Sequence, residues 1–320
     1  MPLEGLVNTL VAFAILAGIY GLFTLGLNVH WGFTGLFNIG VAGFFAVGAY
    51  TSTLVTMQPL SPEQASYIQV VATLGLPFVL GVLAAGAASG AVAFLIGVPG
   101  LRLREDYLAI ATIGIAEAIR ILFNNERWLA NGARGLSTLK PLWGALPPGT
   151  WPLFYLLVVA AFLLAAYLVV ERSGRSPWGR VLRAIREDEA VAAAYGKSVF
   201  AFKLQSLVFG AVLMGMGGAL YAHYIGFISP DAFDPLYATF LVWVMLILGG
   251  SGNSKGAILG AFLVWGVWEV TRYLADAVMP AHLDARKPYV RFTLIGLLLT
   301  AVLLWRPRGV LGEEKQVSRV

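Results

Sequence analysis

Residues 5–62, 58 in all, contain no Asp, Glu, Lys or Arg. A helix needs about 20 apolar residues to cross the hydrocarbon core, so this stretch alone holds two or three membrane passes. No soluble domain hides so long an uncharged run. The rest of the chain agrees: of 320 residues, 58% are hydrophobic and 12% charged, with a mean hydropathy of +0.78. Soluble domains carry about 25% charged residues. The apolar residues are Leu, Ile, Val, Phe and Trp, which disordered chains lack. The expected fold is therefore all-α: a polytopic membrane bundle of 8–10 helices in one transmembrane domain over 1–320.

Hydropathy places nine spans near 6–28, 37–57, 67–98, 107–124, 151–170, 201–222, 236–249, 257–274 and 289–305. The 67–98 stretch is long enough to predict a tilted or kinked helix. Between the first two spans, Trp31-Gly-Phe-Thr-Gly-Leu-Phe-Asn-Ile-Gly40 carries Gly32, Gly35 and Gly40. Such a stretch predicts a broken helix, which the bilayer tolerates only where protein or a water-filled path surrounds it. Its polar side chains, Asn28, Thr34 and Asn38, are candidates to line a translocation path, and so is Tyr50. No cleavable signal peptide is expected, because no basic residue precedes the first apolar stretch and that stretch exceeds an h-region.

Excess Lys and Arg mark the cytoplasmic side. The segment 171–187 carries Arg172, Arg175, Arg180, Arg183 and Arg186 and is placed inside. Arg102, Arg104, Lys255 and a tail at 306–320 with Arg306, Arg308, Lys315 and Arg319 fall on the same side. The loops 125–150, 223–235 and 275–288 fall outside, the last despite Arg286 and Lys287. Nine helices put the N-terminus outside, ten put it inside. The net charge of +5 is thus a topology signal and not a nucleic-acid footprint.

The absence of cysteine excludes disulfides, thiolate metal sites and cysteine nucleophiles. His30, His223 and His282 lie too far apart in sequence to suggest a metal site. No nucleophile–base constellation appears, so neither an enzyme nor a cofactor is expected. The run Gly249-Gly-Ser-Gly-Asn-Ser-Lys-Gly256 invites a phosphate-loop reading. That loop needs Gly before its Lys and Ser or Thr after it, whereas Ser254 and Gly256 flank Lys255. A tight turn between two helices is the better reading.

Two pairs of ionisable residues fall within spans, Glu117 with Arg120 and Glu269 with Arg272. Each is spaced to bridge along one helix face, which lowers the cost of charge at depth. Such pairs either tie the helices near the outer surface or meet the charged ends of a zwitterionic solute. The segment 177–200 predicts a helix from Gly179 to Tyr195, with Val181, Leu182 and Ile185 on one side and Arg183 and Glu187 four apart. Ala190–Ala194 presents small side chains, and Gly196 suits a stop. The pattern fits either a partner's groove or a solvated surface.

Four stretches resemble one family. They are Gly26-Leu-Asn-Val-His-Trp-Gly-Phe-Thr-Gly-Leu-Phe-Asn-Ile-Gly-Val-Ala-Gly-Phe-Phe-Ala-Val-Gly-Ala-Tyr50, Leu101-Arg-Leu-Arg-Glu-Asp-Tyr-Leu-Ala-Ile-Ala-Thr-Ile-Gly114, Arg180-Val-Leu-Arg-Ala-Ile-Arg-Glu-Asp-Glu-Ala-Val-Ala-Ala-Ala-Tyr-Gly196 and Gly215-Met-Gly-Gly-Ala-Leu-Tyr-Ala-His-Tyr-Ile-Gly-Phe-Ile-Ser-Pro230. The chain resembles, over nearly its full length, the inner-membrane permeases of ABC importers of the branched-chain amino acid (LivM-type) family. That resemblance implies a permease subunit in a bacterial plasma membrane with its C-terminus in the cytoplasm. It implies as partners a second homologous permease, two ATPase subunits and a soluble substrate-binding protein, besides membrane lipid. It also implies that Arg180, Arg183, Arg186, Glu189, Ala192, Ala193 and Gly196 belong to a segment, about 177–200, that seats on an ATPase. The general importer pattern has Glu six residues before its Gly. Here Ala190 holds that place and Glu189 stands seven before. Related permeases for urea or small amides share these stretches, so cargo is not named by them. A stand-alone secondary transporter is the other class; it would keep an acidic residue near mid-span, whereas the acids here cluster near span ends.

Overall fold

The computed structural model describes residues 3–137, 150–280, 284 and 286–313. Among them nine long or apolar helices match the nine expected spans. They are α1 (Leu3–Leu27, continued by a π-helix Asn28–Phe33), α2 (Val41–Thr56), α4 (Phe78–Gly100), α5 (Glu105–Asn125), α7 (Trp151–Arg175), α10 (Val199–Ile225), α11 (Leu241–Gly249, led in by a π-helix Leu236–Phe240), α12 (Ser254–Val278) and α13 (Lys287–Trp305). Short helices α3 (Pro62–Ala65), α6 (Arg127–Ala130), α8 (Pro177–Glu187) and α9 (Glu189–Ala194) lie between them. A two-residue antiparallel ladder, β1 (Leu136–Ser137) with β2 (Phe227–Ile228), and two 3-10 turns, Gly132–Arg134 and Pro230–Phe233, are also present. Among the described residues six helices are long and apolar enough to cross a membrane. The protein is a multi-pass, all-α membrane bundle.

The expected 67–98 helix is a correction. Helix α4 begins only at Phe78, and residues 67–77 are not helical. Gly75 is left-handed at φ +61°, and Pro77, with no N–H and a fixed φ, both ends the loop and caps α4. Val70 instead bridges to Ala130.

Helix α10 is the centre of the bundle and packs on α4, α2 and α1. Lipid-facing helices gain nothing from hydrophobic contact with one another, so close approach of backbones must hold them. Gly48 of α2 lies directly on the backbone of Gly215, and Gly26 of α1 on that of Gly210. A Cβ at Gly48, or at either of Gly26 and Gly210, would overlap the partner's carbonyl, and one at Gly215 would overlap Ser89 and the Ala85 carbonyl of α4. Opposite faces of α7 and α13 stay exposed, with Leu157, Leu164, Leu297 and Leu304 pointing outward.

The α1–π-helix unit from Gly5 to Phe33 has 29 residues, roughly 44 Å at 1.5 Å per residue and longer than the hydrocarbon core is thick. Its far end meets α8, the α11–α12 turn and the residues after α13. Val310 N–H donates to Leu248 O at 2.8 Å and Leu311 N–H to Gly249 O at 3.1 Å. At the other end, Gln69 N–H donates to Asn131 Oδ1 at 3.2 Å and Ser137 Oγ to Gly226 O at 3.2 Å. Lys287, a basic residue on the side expected to be outside, is neutralised by Asp276 at 2.8 Å and Asp284 at 2.7 Å. The expected outer residues 138–149, His282 and the tail residues Lys315 and Arg319 lie outside the described residues.

Candidate functional site

Three structures built from sequence-predicted residues meet at one end of the bundle: the broken helix at 28–40, the arginine-rich segment and the α11–α12 turn. Helix α1 widens into a π-helix at Asn28–Phe33 and ends at Thr34; residues 35–40 are non-helical before α2. The extra residue frees the Val29 carbonyl, which accepts from Thr34 Oγ1 and from Ser206 Oγ of α10, both at 3.0 Å. Thr34 and Ser206 hydroxyls also meet at 2.6 Å. His30 is wholly buried. Its Nε2 lies 2.9 Å from Leu207 O and therefore donates, which leaves Nδ1 to accept from Asn38 Nδ2 at 3.0 Å. This imidazole is neutral and joins the two sides of the break to α10.

The non-helical residues are tied at several points. Asn38 Oδ1 accepts from Gly40 N–H at 2.8 Å, and Ile39 N–H donates to Thr112 Oγ1 of α5 at 3.0 Å. Ala42 N–H donates to Thr239 Oγ1 at 3.1 Å, and Trp243 Nε1 to Asn38 O at 3.1 Å. Backbone groups outside a helix must be satisfied inside a membrane protein, and here Asn38 itself and three other elements do so. The candidates Asn28, Thr34 and Asn38 are thus brought together, and all are buried. Tyr50 sits apart, buried in α2 and stacked on Phe123 at 4.0 Å. Among the described residues Asn28 Nδ2 and Tyr50 Oη are buried without a hydrogen-bond partner, so these two keep spare donor capacity.

The arginine-rich segment is two helices and not the single Gly179–Tyr195 helix expected. Asp188 is extended at φ −159° and caps α9, its Oδ1 accepting from Val191 N–H at 3.0 Å. An Asx cap offers the backbone an alternative to continued helix, which is why the chain breaks there. Helix α8 buries Leu182 and Ile185 and exposes Arg180 and Glu187. Gly179 lies on the Gly174 backbone of α7. Arg183 donates to Gly174 O at 2.8 Å and lies over the Phe33 ring, 5.4 Å from its centroid. Burial, with the neighbouring Arg186 charge, lowers its pKa from the ordinary value. Trp178 Nε1 donates to Gln205 Oε1 of α10 at 2.9 Å, and Glu189 pairs with Lys203 of α10. Glu189 therefore has a partner within the chain. Of the alanines, Ala192 turns inward, whereas Ala193 is exposed beside Val191 (51%) and Tyr195 (81%). Gly196, at φ +75°, ends α9 as expected.

The glycine-rich run is a tight turn. Gly250 and Gly252 take φ of +115° and +83°, and Asn253 caps α12 by accepting from Lys255 and Gly256 N–H at 3.0 and 3.1 Å. The two ion pairs form as spaced. Glu117 and Arg120 meet at 2.5 and 2.9 Å, and Glu269 and Arg272 at 2.7 and 3.0 Å. Helix α5 packs on α2 and the 230–233 turn, and α12 on α1, α11 and α13. The pairs thus belong to different parts of the bundle. Sequence reasoning passed over Ser206, Thr112 and Lys203, and weighed His30 only as a metal ligand. His30 had a signal, since an ionisable residue in the 58-residue uncharged stretch is costly unless partnered.

The model of the family described as "Branched-chain amino acid transport system / permease component" matches residues 9–303. LivM, the high-affinity branched-chain amino acid permease protein of Salmonella typhimurium, is 33% identical across 94% of this chain and 69% of its own length. A probable LivM of Methanocaldococcus jannaschii is 27% identical across 94% and 92%. LivH of Salmonella typhimurium is 24% identical across 94% and 93%. No solved structure matches. With one family model spanning most of the chain and a relative at one-third identity, this protein is a member of the branched-chain amino acid transport permease family.

Proposed function

We propose that this chain is the membrane-spanning permease subunit of an ATP-driven importer in the bacterial plasma membrane, moving branched-chain or other neutral amino acids. It forms a single transmembrane domain whose arginine-rich end, with the 306–313 segment, faces the cytoplasm. It works with a second, related permease, two ATPase subunits and a soluble binding protein, and does no chemistry itself. The observation that carries this reading is the α8–α9 pair. It is anchored on α7 and α10, yet presents Arg180, Val191, Ala193 and Tyr195 outward. An exposed apolar patch beside a positive charge suits a groove on a partner, and the small Ala193 allows close approach. The names of the relatives, permeases of branched-chain amino acid transport systems, support the substrate class.

Two measurements test it. Ala193→Trp should leave expression and membrane insertion normal while uptake and the stimulation of ATP hydrolysis by loaded binding protein are lost. Full substrate-stimulated hydrolysis in that variant would reduce α8–α9 to a solvated loop. For the cargo, proteoliposomes holding the whole assembly should accumulate Leu, Ile and Val in competition with one another. Uptake of urea or small amides in their place would move the protein to that branch of importers.

A further inference from the structure

We infer that Arg186 is the joint that carries motion of the α8–α9 pair into the broken helix, with the 306–313 segment as its second arm. The inference rests on the docking role proposed for α8–α9. Helix α8 is held to the bundle by buried Leu182 and Ile185, by Trp178 bonded to α10 and by Arg183 bonded to α7. Arg186 differs. One guanidinium nitrogen, Nη1, donates to the Gly32 carbonyl within the π-helix, and the other, Nη2, donates to Glu313 Oε1 at 2.6 Å. Its stem packs where a Gly35 side chain would stand, the Cγ lying 3.1 Å from that Cβ position, beside the left-handed turn at φ +75°.

From these two arms a ring of hydrogen bonds closes. The π-helix continues it through Asn28, whose Oδ1 accepts from Gly252 N–H at 2.8 Å. The next residue, Asn253, donates from Nδ2 to Gly312 O at 3.0 Å, and Gly312 precedes Glu313. The ring therefore runs from α8 to the π-helix, to the α11–α12 turn, to the 306–313 segment and back to Arg186. A planar fork with fixed N–H directions transmits position, where an ammonium is only a point charge. The π-helix is the compliant element in the ring, because a π turn holds one residue more than an α turn and such turns gather at functional sites. The Arg186–Glu313 pair is partly exposed, at 23% and 42% of the side chains. An exposed pair contributes little to stability, so its removal should be read in coupling and not in folding.

The test uses the assembled importer in proteoliposomes, with Arg186→Ala, Arg186→Lys, Glu313→Gln and the Arg186→Ala/Glu313→Gln double variant. Both Arg186 variants should keep the ATPase subunits bound. Uptake and binding-protein-stimulated hydrolysis should fall about tenfold or more, as for loss of a charge-assisted hydrogen bond. Glu313→Gln, which is too mild to disturb the fold, should lower stimulation in part, and the double variant should be no worse than Arg186→Ala alone. Normal stimulation in Arg186→Ala or Glu313→Gln overturns the joint, as do additive losses or full rescue by Lys. Loss of the ATPase subunits from Arg186→Ala would make the residue part of the docking surface and also overturn it. If Ala193→Trp abolishes coupling while the Arg186 and Glu313 variants are normal, docking stands and the joint falls. If Ala193→Trp couples normally, the docking role itself falls.

Discussion

At the scale of single residues, the break after α1 depends on one backbone angle. Gly35 sits at φ +75°, a region that costs an L-residue about 1–2 kcal/mol, and Arg186 crowds the Cβ position. Gly35→Leu should therefore lower the melting temperature of the purified chain and reduce uptake; a variant as stable and active as the parent would show that the turn does not need glycine. His30 illustrates what a residue list conceals. Considered for a metal site, it gave nothing. Its role is visible only once Leu207 O and Asn38 stand on either side of it at 2.9 and 3.0 Å. Both partners come from other turns of the chain, one of them 177 residues away.

At the scale of elements, periodicity located the helices well and their interruptions poorly. The amphipathic pattern of 179–195 reads as one helix because Asp188 is a tolerable helix residue, and only its cap geometry shows the division into α8 and α9. Replacing Asp188 by Ala removes that cap, worth about 1 kcal/mol. Amide exchange in 189–195 should then quicken while the bundle melts unchanged. Unaltered exchange there would mean that α9 is held by Ala192 and the Glu189–Lys203 pair alone. The 67–77 loop was hidden in a similar way, since Val70, Val71 and Leu74 are apolar, but the first two bond to the 129–131 turn and Leu74 to Leu54 of α2 instead of extending α4.

At the scale of the whole molecule, two kinds of glycine have opposite expectations. A Cβ at Gly215, at the centre, would meet Ser89 and the Ala85 carbonyl of α4, whereas one at Gly296 of α13 would meet nothing within 4 Å. Gly215→Leu should prevent a monodisperse, folded protein from being recovered. Gly296→Leu should be neutral or stabilising, by up to about 1 kcal/mol from helix propensity. Size-exclusion profiles and melting curves of the two purified variants decide this, and equal tolerance would remove glycine crossing as the packing principle of the bundle.

Membrane immersion, the helical fold, the number of apolar stretches and the arginine-rich end were determined by the sequence alone. Each follows from local arithmetic: the length of uncharged runs, the cost of charge in hydrocarbon and the periods of helices. Which residues meet was decided only by tertiary structure. Asn28 reaches Gly252 across 224 residues, and Arg186 reaches Gly32 and Glu313 across 154 and 127. No local pattern encodes those pairings, because they depend on which helices turn back to the same end and on backbones close enough for one guanidinium to bridge them.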